Sequence, residues 1–460
     1  MESLYWFYFL TTAFCIMVPV FILLRIKNWA TFLILFPIVY IIYSFVAPLA
    51  FIIGPEFESI TRAFLVSYKI FSIENKEYIY VAHAAFLVFY LTWFAGFFFA
   101  YRWRYKAITY IKEINLEPLK LRGIIFLVSC ILGFLTIFLI YKEFGFNFSI
   151  IYGRGTKILY AKYKTLFGAL FSLWGSSIIC FAASVFLYIR KTGKMFPLEL
   201  SMLILQILFY IAFSFLRGDR SQLFVVLLAV VVLYSYVLKP VKISFQFLIY
   251  LFFLVFIFYI IGRFRGEKLS HIGELARIVT SSEFLRMFVY PFVSVESFAA
   301  YTALPFLIAN EIPLLRGQSI AFFFIDLLPR AIAPFRPPSE YTYTKYAEYA
   351  GILNIGQGFT FHHVADWYWN FSWVGVVLGG FLIGYLLAKL EKKALTSSNI
   401  FWVVVFSSTL GHLPNSMRAP IEGFRAIFYE YWLLPFLFFV LIPHFLRMIR
   451  GCPMKKETKF

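Results

Sequence analysis

The sequence predicts an all-α, polytopic integral membrane protein, a bundle of about eleven transmembrane helices with one large extracytoplasmic loop. Three observations predict this fold. The chain is 62% hydrophobic and 14% charged, and its mean hydropathy of +0.81 exceeds what a soluble fold can bury. Its apolar residues form long runs, and its basic residues are concentrated between alternate runs.

The apolar runs are long enough to cross a bilayer. A span needs about 20 mostly apolar residues in a helix, because hydrocarbon tolerates only a backbone that is hydrogen-bonded internally. Eleven such runs lie at 3–24, 29–53, 79–101, 123–141, 165–189, 196–216, 221–238, 243–262, 370–389, 400–415 and 427–446. The tenth is short and carries His412 and Pro414. The first lacks a basic start and a cleavage site, so we expect it to be retained as a span.

These runs divide the chain into four parts. Residues 1–262 form an N-terminal membrane bundle of about eight spans, and residues 370–446 form a C-terminal bundle of about three. Residues 263–369 between them form the large loop, and residues 447–460 form a basic tail. The loop contains two apolar stretches, 287–310 and 319–335, which are interrupted by Pro and acidic residues. We expect these stretches to be interfacial or re-entrant helices.

The basic residues indicate the orientation of the chain, since short Lys/Arg-rich loops remain in the cytoplasm. Six basic segments lie at Arg25/Lys27, at 102–122, at 190–194, at Lys239/Lys242, at 389–393 and in the tail from Arg447. Eleven spans with the N-terminus outside place all six in the cytoplasm, together with the C-terminus. Topology therefore explains most of the net charge of +19, and nucleic-acid binding is not expected.

The sequence shows no pattern for a bound cofactor. Its four cysteines provide neither a disulfide framework nor a cysteine metal motif. We find no glycine-rich nucleotide loop and expect neither a cofactor nor a metal.

Arginines on the opposite, outward side have no such topological explanation. Arg217 and Arg220 lie in the turn between two spans, and Arg265 lies just beyond the eighth span. Arg330 and Arg336 flank a proline-rich turn of the large loop, and Arg154 lies in the outward sequence YGRGTK. Guanidinium groups at a membrane boundary suit bidentate binding of phosphate or carboxylate, although a single arginine can also reach lipid headgroups. Arg220 begins a predicted helix, where the helix dipole disfavours a cation, and this favours a functional role.

A second candidate group precedes the ninth span. His363 and Asp366 lie within about one helical turn, beside several aromatic residues. Either side chain is able to take a proton from a sugar hydroxyl, or the carboxylate can orient the histidine. Tyrosines and tryptophans around 341–373 are candidates for a sugar groove. The alternative is that these residues form an interfacial aromatic belt. A metal site formed by His362, His363 and Asp366 is a weaker alternative.

Three stretches together resemble the bacterial O-antigen polymerase family, the Wzy-type oligosaccharide repeat-unit polymerases. They are FLRGDRSQLFVVLLAVVVLY (215–234), RGQSIAFFFIDLLPRAIAPFRPP (316–338) and DWYWNFSWVGVVLGGFLIGYLL (366–387). The resemblance implies a glycosyltransferase at the outer face of the bacterial inner membrane. Such an enzyme moves a growing glycan from one undecaprenyl diphosphate onto a repeat unit carried by another, forming O-antigen, capsule or exopolysaccharide. It also implies a separate chain-length co-polymerase and a flippase as partners.

Together with this resemblance, the positions of the arginines lead us to expect that they bind the donor diphosphate. We expect His363 or Asp366 to be the base that activates the acceptor hydroxyl. Two alternatives stay open. An O-antigen ligase, which transfers finished glycan, would use the same arginines. A flippase or other transporter would be expected to have ionisable residues at mid-span and two halves related by an internal repeat. The sequence shows neither pattern.

Overall fold

A computed structural model describes residues 2–26, 29–46, 77–105, 111, 113–145, 156–194, 198–217, 220–241, 295–328, 332–335, 341–351 and 360–449. Within these ranges the secondary structure is helical and no strand occurs. The predicted all-α class is therefore confirmed.

Ten of the eleven apolar runs overlap described helices. The eighth, 243–262, and residues 47–53 of the second lie outside the described residues. The first seven helices are α1 (Glu2–Ile26), α2 (Phe32–Ile41), α3 (Glu77–Ala100), α4 (Arg122–Phe144), α5 (Thr156–Thr192), α6 (Leu198–Arg217) and α7 (Arg220–Val237). The next three are α8 (Val295–Ala309), α9 (Gln318–Asp326) and α10 (Tyr341–Tyr349). The last four are α11 (His363–Thr396), α12 (Ile400–Gly411), α13 (Leu413–Met417) and α14 (Ile421–Ile449).

Six segments in the described ranges are long and apolar enough to cross a membrane: Trp6–Ile26, Glu77–Ala100, Glu117–Glu143, Gly168–Thr192, His363–Thr396 and Ile421–Ile449. The other apolar helices are shorter. For example, α12 has 12 residues, which extend about 18 Å and fall short of a hydrocarbon core of about 30 Å. The total of eleven spans and the extracytoplasmic position of the loop stay predictions.

The centre of the bundle is the contact between α3 and α11, where glycines bring the backbones together. A Cβ on Gly384 would overlap the carbonyl oxygen of Trp93, and a Cβ on Gly96 would overlap that of Phe381. Gly380 is similarly enclosed by α3. The small residues spaced along α11 therefore serve close helix packing, as such patterns do in membrane bundles.

Near its start, α11 is sharply kinked. Phe371 (φ −140°, ψ 20°) and Ser372 (φ 53°, ψ −141°) depart from helical geometry. Gly375 and Gly379 allow the kink, because a Cβ on either residue would overlap Trp367. The kink separates the turn that carries His363 and Asp366 from the long segment that packs on α3.

The predicted cytoplasmic segments meet at one end of the bundle. Trp29 Nε1 donates to the carbonyl of Val241 at 2.9 Å. Arg122 pairs with Glu199 at 3.1 Å, and Arg447 pairs with Glu117. The backbone N–H groups of residues 111 and 115 donate to the carbonyls of residues 236 and 398. This agrees with the predicted grouping of basic segments, and the side of the membrane on which this end lies stays a prediction.

Glu391 of α11 joins three helices at the same end of the bundle. Its Oε2 accepts from the backbone N–H of Phe32 at 2.8 Å, at the start of α2. Its Oε1 accepts from the hydroxyls of Tyr105 at 3.0 Å and Tyr101 at 3.3 Å. A buried carboxylate is tolerated when donors surround it in this way, and here those donors connect α2, α3 and α11.

We expect Gly384→Ala to lower the thermal stability of the purified protein. The added methyl meets backbone atoms of α3, which cannot rotate away, and such overpacking costs about 1–3 kcal/mol. Differential scanning fluorimetry in detergent measures the change. Gly123→Ala is the matched control, because a Cβ there meets nothing within 4 Å. Equal melting temperatures for both variants would contradict the packing role of Gly384.

Candidate active site

At the opposite end of the bundle, a cavity of about 420 Å³ lies between the start of α7 and residues 412–430. This volume is within the range of about 300–1,000 Å³ typical of small-molecule sites. Its wall contains Ser221 and Gln222 of α7, Thr360 ahead of α11, and His412, Arg418 and Glu430. The charged and polar groups of the wall thus come from three distant parts of the chain.

Two prolines shape the connection between α12 and α14 (residues 412–420). Pro414 lies in the first turn of the short helix α13, where a missing N–H does no harm. Pro420 is the N-cap of the 3₁₀ turn Ile421–Phe424 that begins α14. Because proline cannot continue a helix, α12 ends at Gly411, and the chain then turns through residues that line the cavity. Arg418 lies in this turn.

Asp366 holds the connection between α12 and α14 in place. The side chain is fully buried. Its Oδ2 accepts from the backbone N–H of Ile421 at 2.6 Å, and its Oδ1 accepts from Asn370 Nδ2 at 2.9 Å. Asn370 also donates to Ser319 Oγ of α9 at 2.6 Å. The sequence-predicted aspartate therefore joins α9, α11 and the start of α14.

Two further carboxylates hold the first turns of α14. Glu422, which is 2% exposed, accepts from the backbone N–H of Thr342 at 2.8 Å and from its hydroxyl at 3.2 Å. Asp326, at the end of α9, forms an ion pair with Arg425. Three carboxylates from three segments thus position the turn that carries Arg418.

His363 lies three residues before Asp366 and is packed inside the protein. The residue is 1% exposed, and its Nε2 accepts from the indole N–H of Trp367 at 3.1 Å. Its ring centroid lies 5.1 Å from that of Phe424. The neighbouring His362 caps α11 by accepting from the backbone N–H of Val364 at 3.1 Å. Neither His363 nor Asp366 lies in the cavity wall.

The predicted arginines are described only in part. Arg154, Arg265, Arg330 and Arg336 lie outside the described residues. Arg217 ends α6 and Arg220 begins α7, and the structure describes only the backbone of these two residues. Ser221 follows Arg220 directly and lies in the cavity wall, so the start of α7 lies at the edge of the cavity.

Arg418 and Arg425 were not among the residues singled out from the sequence. The predicted topology places the segment between the last two spans outside, so both arginines belong to the same outward set. Arg418 is half-buried in the cavity wall, and its Nη2 donates to Asn415 Oδ1 at 3.1 Å. Its carbonyl accepts from Phe361 N at 3.2 Å. The first bond holds the guanidinium and the second holds the backbone of a residue that lines a site of small-molecule size.

Glu430 and Gln222 form another part of the wall. Gln222 Nε2 donates to Glu430 Oε2 at 3.5 Å, and the Tyr431 hydroxyl donates to Gln222 Oε1. Because the amide oxygen faces Tyr431, the amide nitrogen is directed at the carboxylate. Tyr431 is itself buried against the ring of His412, at a centroid distance of 4.5 Å.

The described aromatic residues of 341–373 differ in exposure, and Tyr341, Tyr343 and Tyr368 are half-buried. Trp367, Trp369 and Tyr346 are buried, and desolvation raises the pKa of the Tyr346 phenol. Tyr349 and Trp373 are exposed. The buried rings serve packing, which leaves the exposed rings for the predicted contacts with sugar. In the part of the chain that the structure describes, no three His, Cys, Asp or Glu side chains come together to hold a metal ion.

A family model named O-antigen polysaccharide polymerase Wzy matches residues 1–448. The chain belongs to this family. The match extends over nearly all of the 460 residues, so it includes both the α6–α7 hairpin and the 412–430 segment. No curated protein and no solved structure matches the chain.

Membership of the Wzy family confirms the predicted resemblance and supports O-antigen polymerase activity in general, which is a glycosyl transfer. It also identifies a multi-pass membrane protein that acts on lipid-linked oligosaccharides. The cavity of this Wzy protein combines a cation, a carboxylate and amide groups in one wall. This combination suits a ligand that carries both an anionic group and sugar hydroxyls.

We expect Asp326→Asn to destabilise the protein by about 3 kcal/mol, because it removes the carboxylate that pairs with Arg425 in a largely buried site. Thermal unfolding of the purified protein measures the loss. The double variant Asp326→Asn/Arg425→Met is expected to be more stable than Asp326→Asn alone. Glu117→Gln is the control: its pair with Arg447 is 46% and 45% exposed, so the expected change is within about 1 kcal/mol. Equal losses at both sites would contradict the positioning role of the Asp326–Arg425 pair.

Proposed function

We propose that this Wzy protein polymerises undecaprenyl-diphosphate-linked repeat units at the outer face of the bacterial inner membrane. The growing glycan leaves its diphosphate carrier and joins the sugar of one repeat unit held by a second carrier. The glycosyl diphosphate is already activated, so the transfer needs no nucleotide and no cofactor. A flippase that delivers repeat units and a co-polymerase that sets chain length are the proposed partners.

One observation carries this proposal: Ser221, next to Arg220, and Arg418 lie in the wall of the same cavity. The predicted topology assigns both segments to the outward side independently of any contact. Their meeting brings the backbone of Arg220 to the edge of the site that Arg418 lines. Positive charge there has no role in membrane insertion, because insertion retains basic loops in the cytoplasm.

Arg418 is the proposed ligand of the departing diphosphate, together with Arg217 and Arg220. Negative charge develops on the phosphate oxygen as the glycosidic bond breaks, and a guanidinium fixed beside it stabilises that charge. Bidentate hydrogen bonds from arginine match the phosphate geometry. Arg154, Arg265, Arg330 and Arg336 remain proposed diphosphate ligands on sequence grounds. The sequence offers His363 or Asp366 as the base, but neither lies in the cavity wall. Asp366 accepts a hydrogen bond from the backbone N–H of Ile421, next to the turn of Arg418, and His363 packs against Phe424.

Arg418→Ala is expected to slow polymerisation about 100-fold, the usual effect of removing a donor to developing negative charge. Arg418→Lys is expected to retain part of the rate, because it keeps the charge and loses the bidentate geometry. The assay incubates purified protein with one defined lipid-linked repeat and measures glycan length. Arg104→Ala, at an exposed arginine of a predicted cytoplasmic segment, is the control. Full chain length in Arg418→Ala would contradict the proposed diphosphate contact.

Arg217→Ala and Arg220→Ala are expected to abolish long-chain glycan in cells and to leave single repeat units on the lipid carrier. The physical reason is the loss of a cation at the edge of the cavity. Electrophoresis of extracted glycan separates the outcomes. A deletion strain with one repeat unit per acceptor supports polymerisation, whereas a strain with none indicates a ligase. Normal chain length in both arginine variants would contradict their assignment.

A further inference from the structure

We propose that Glu430 is the general base of the transfer, the group that takes the proton from the acceptor sugar hydroxyl. This inference rests on the proposed function and names a residue for a step that the predicted diphosphate ligands cannot perform. A guanidinium stays protonated and has no acceptor, so the arginines bind the leaving group and leave proton removal to another side chain.

Glu430 has the location that this role requires. It lies in the cavity wall with Arg418 and is half-buried, with part of its surface accessible. Among the described residues of that wall it is the only carboxylate. The helix around it has π geometry over Ile427–Trp432, and such insertions occur often at functional sites because they redirect a side chain.

The surroundings of Glu430 fix its direction. Gln222 Nε2 lies 3.5 Å from Oε2, and the Tyr431 hydroxyl holds the other end of that amide. Trp432 Nε1 donates to Thr409 Oγ1 at 3.2 Å, which joins the same turn of α14 to α12. A base held by an orienting hydrogen bond on a packed helix matches the arrangement found in general-base catalysis.

Other acidic groups near the cavity have different tasks. Asp326, Asp366 and Glu422 are 1%, 0% and 2% exposed, and each is engaged with the turns that position Arg418. His412 lies in the wall but is 4% exposed, with its ring packed on Tyr431. Glu430 therefore has the better access to a bound hydroxyl.

The transfer is a single displacement at the anomeric carbon of the donor. The acceptor oxygen forms a bond to the anomeric carbon of the donor, and the bond from that carbon to the diphosphate oxygen breaks. Its electron pair goes to the diphosphate, whose charge Arg418 stabilises. The hydroxyl proton passes to the Glu430 carboxylate and then to solvent. A single displacement of this kind inverts the anomeric configuration.

The test compares Glu430→Gln and Glu430→Ala with the wild type in the assay that uses one purified lipid-linked repeat. Glu430→Gln keeps the size and the contact with Gln222 and removes the basic oxygen, so kcat is expected to fall about 100-fold or more while KM changes little. Sodium formate is expected to restore activity to Glu430→Ala by supplying a small carboxylate in the vacated space. Glu311→Gln, at an exposed glutamate outside the cavity, is the control and keeps wild-type activity.

The outcomes separate this inference from the proposed function. Wild-type polymerisation with an unchanged kcat in Glu430→Gln overturns the base and leaves the polymerase intact. Wild-type protein that makes no polymer overturns the proposed function, and the base assignment with it. If Glu430→Gln does not fold, as judged by size-exclusion chromatography, Glu430→Asp decides. This variant keeps the charge and retracts it by one methylene, so a lowered kcat supports the base and full activity overturns it.

Discussion

At Gly96 of α3 and at Gly380 and Gly384 of α11, two helices meet backbone to backbone. A contact this close fixes their register, since any side chain at these glycines would separate them. Both ends of the bundle depend on that register. At one end Glu391 of α11 reaches the start of α2 and the tyrosines after α3. At the other end the His362 ring packs on Phe86 of α3, with centroids 4.6 Å apart, and so places the turn that carries Asp366.

The cavity shows how one type of group serves two purposes. Asp366, Glu422 and Asp326 are buried against backbone N–H groups, a hydroxyl and an arginine. Burial makes each carboxylate dependent on those partners, which is what holds a short proline-containing connection in one conformation. Glu430, which accepts from Gln222, keeps accessible surface and lies in the same cavity wall as Arg418. A fixed cation and an accessible carboxylate in one wall suit a transfer in which a diphosphate leaves and a hydroxyl loses its proton.

Family membership and geometry support the proposal in different ways. The family match extends over residues 1–448 and concerns the chain as a whole. The cavity concerns particular residues, and it lies where the predicted topology gathers the outward segments. A transporter would be expected to present ionisable groups along a path at mid-span. Among the described residues, the acidic groups discussed above lie near the two ends of the bundle, and this arrangement favours chemistry at one face over passage through the bundle.

Composition and hydropathy determined the all-α membrane class, because about 20 consecutive apolar residues leave few options to a backbone in hydrocarbon. They also predict which segments share an end, since orientation follows from basic residues counted along the chain. The sequence alone directed attention to His363 and Asp366 because a histidine and a carboxylate within one turn are chemically suggestive. It gave no sign that Arg418, Gln222 and Glu430 share a wall with Ser221. Only the tertiary structure decided this, because burial and contact between residues 200 positions apart depend on how helices pack, and hydropathy carries no information about which faces meet.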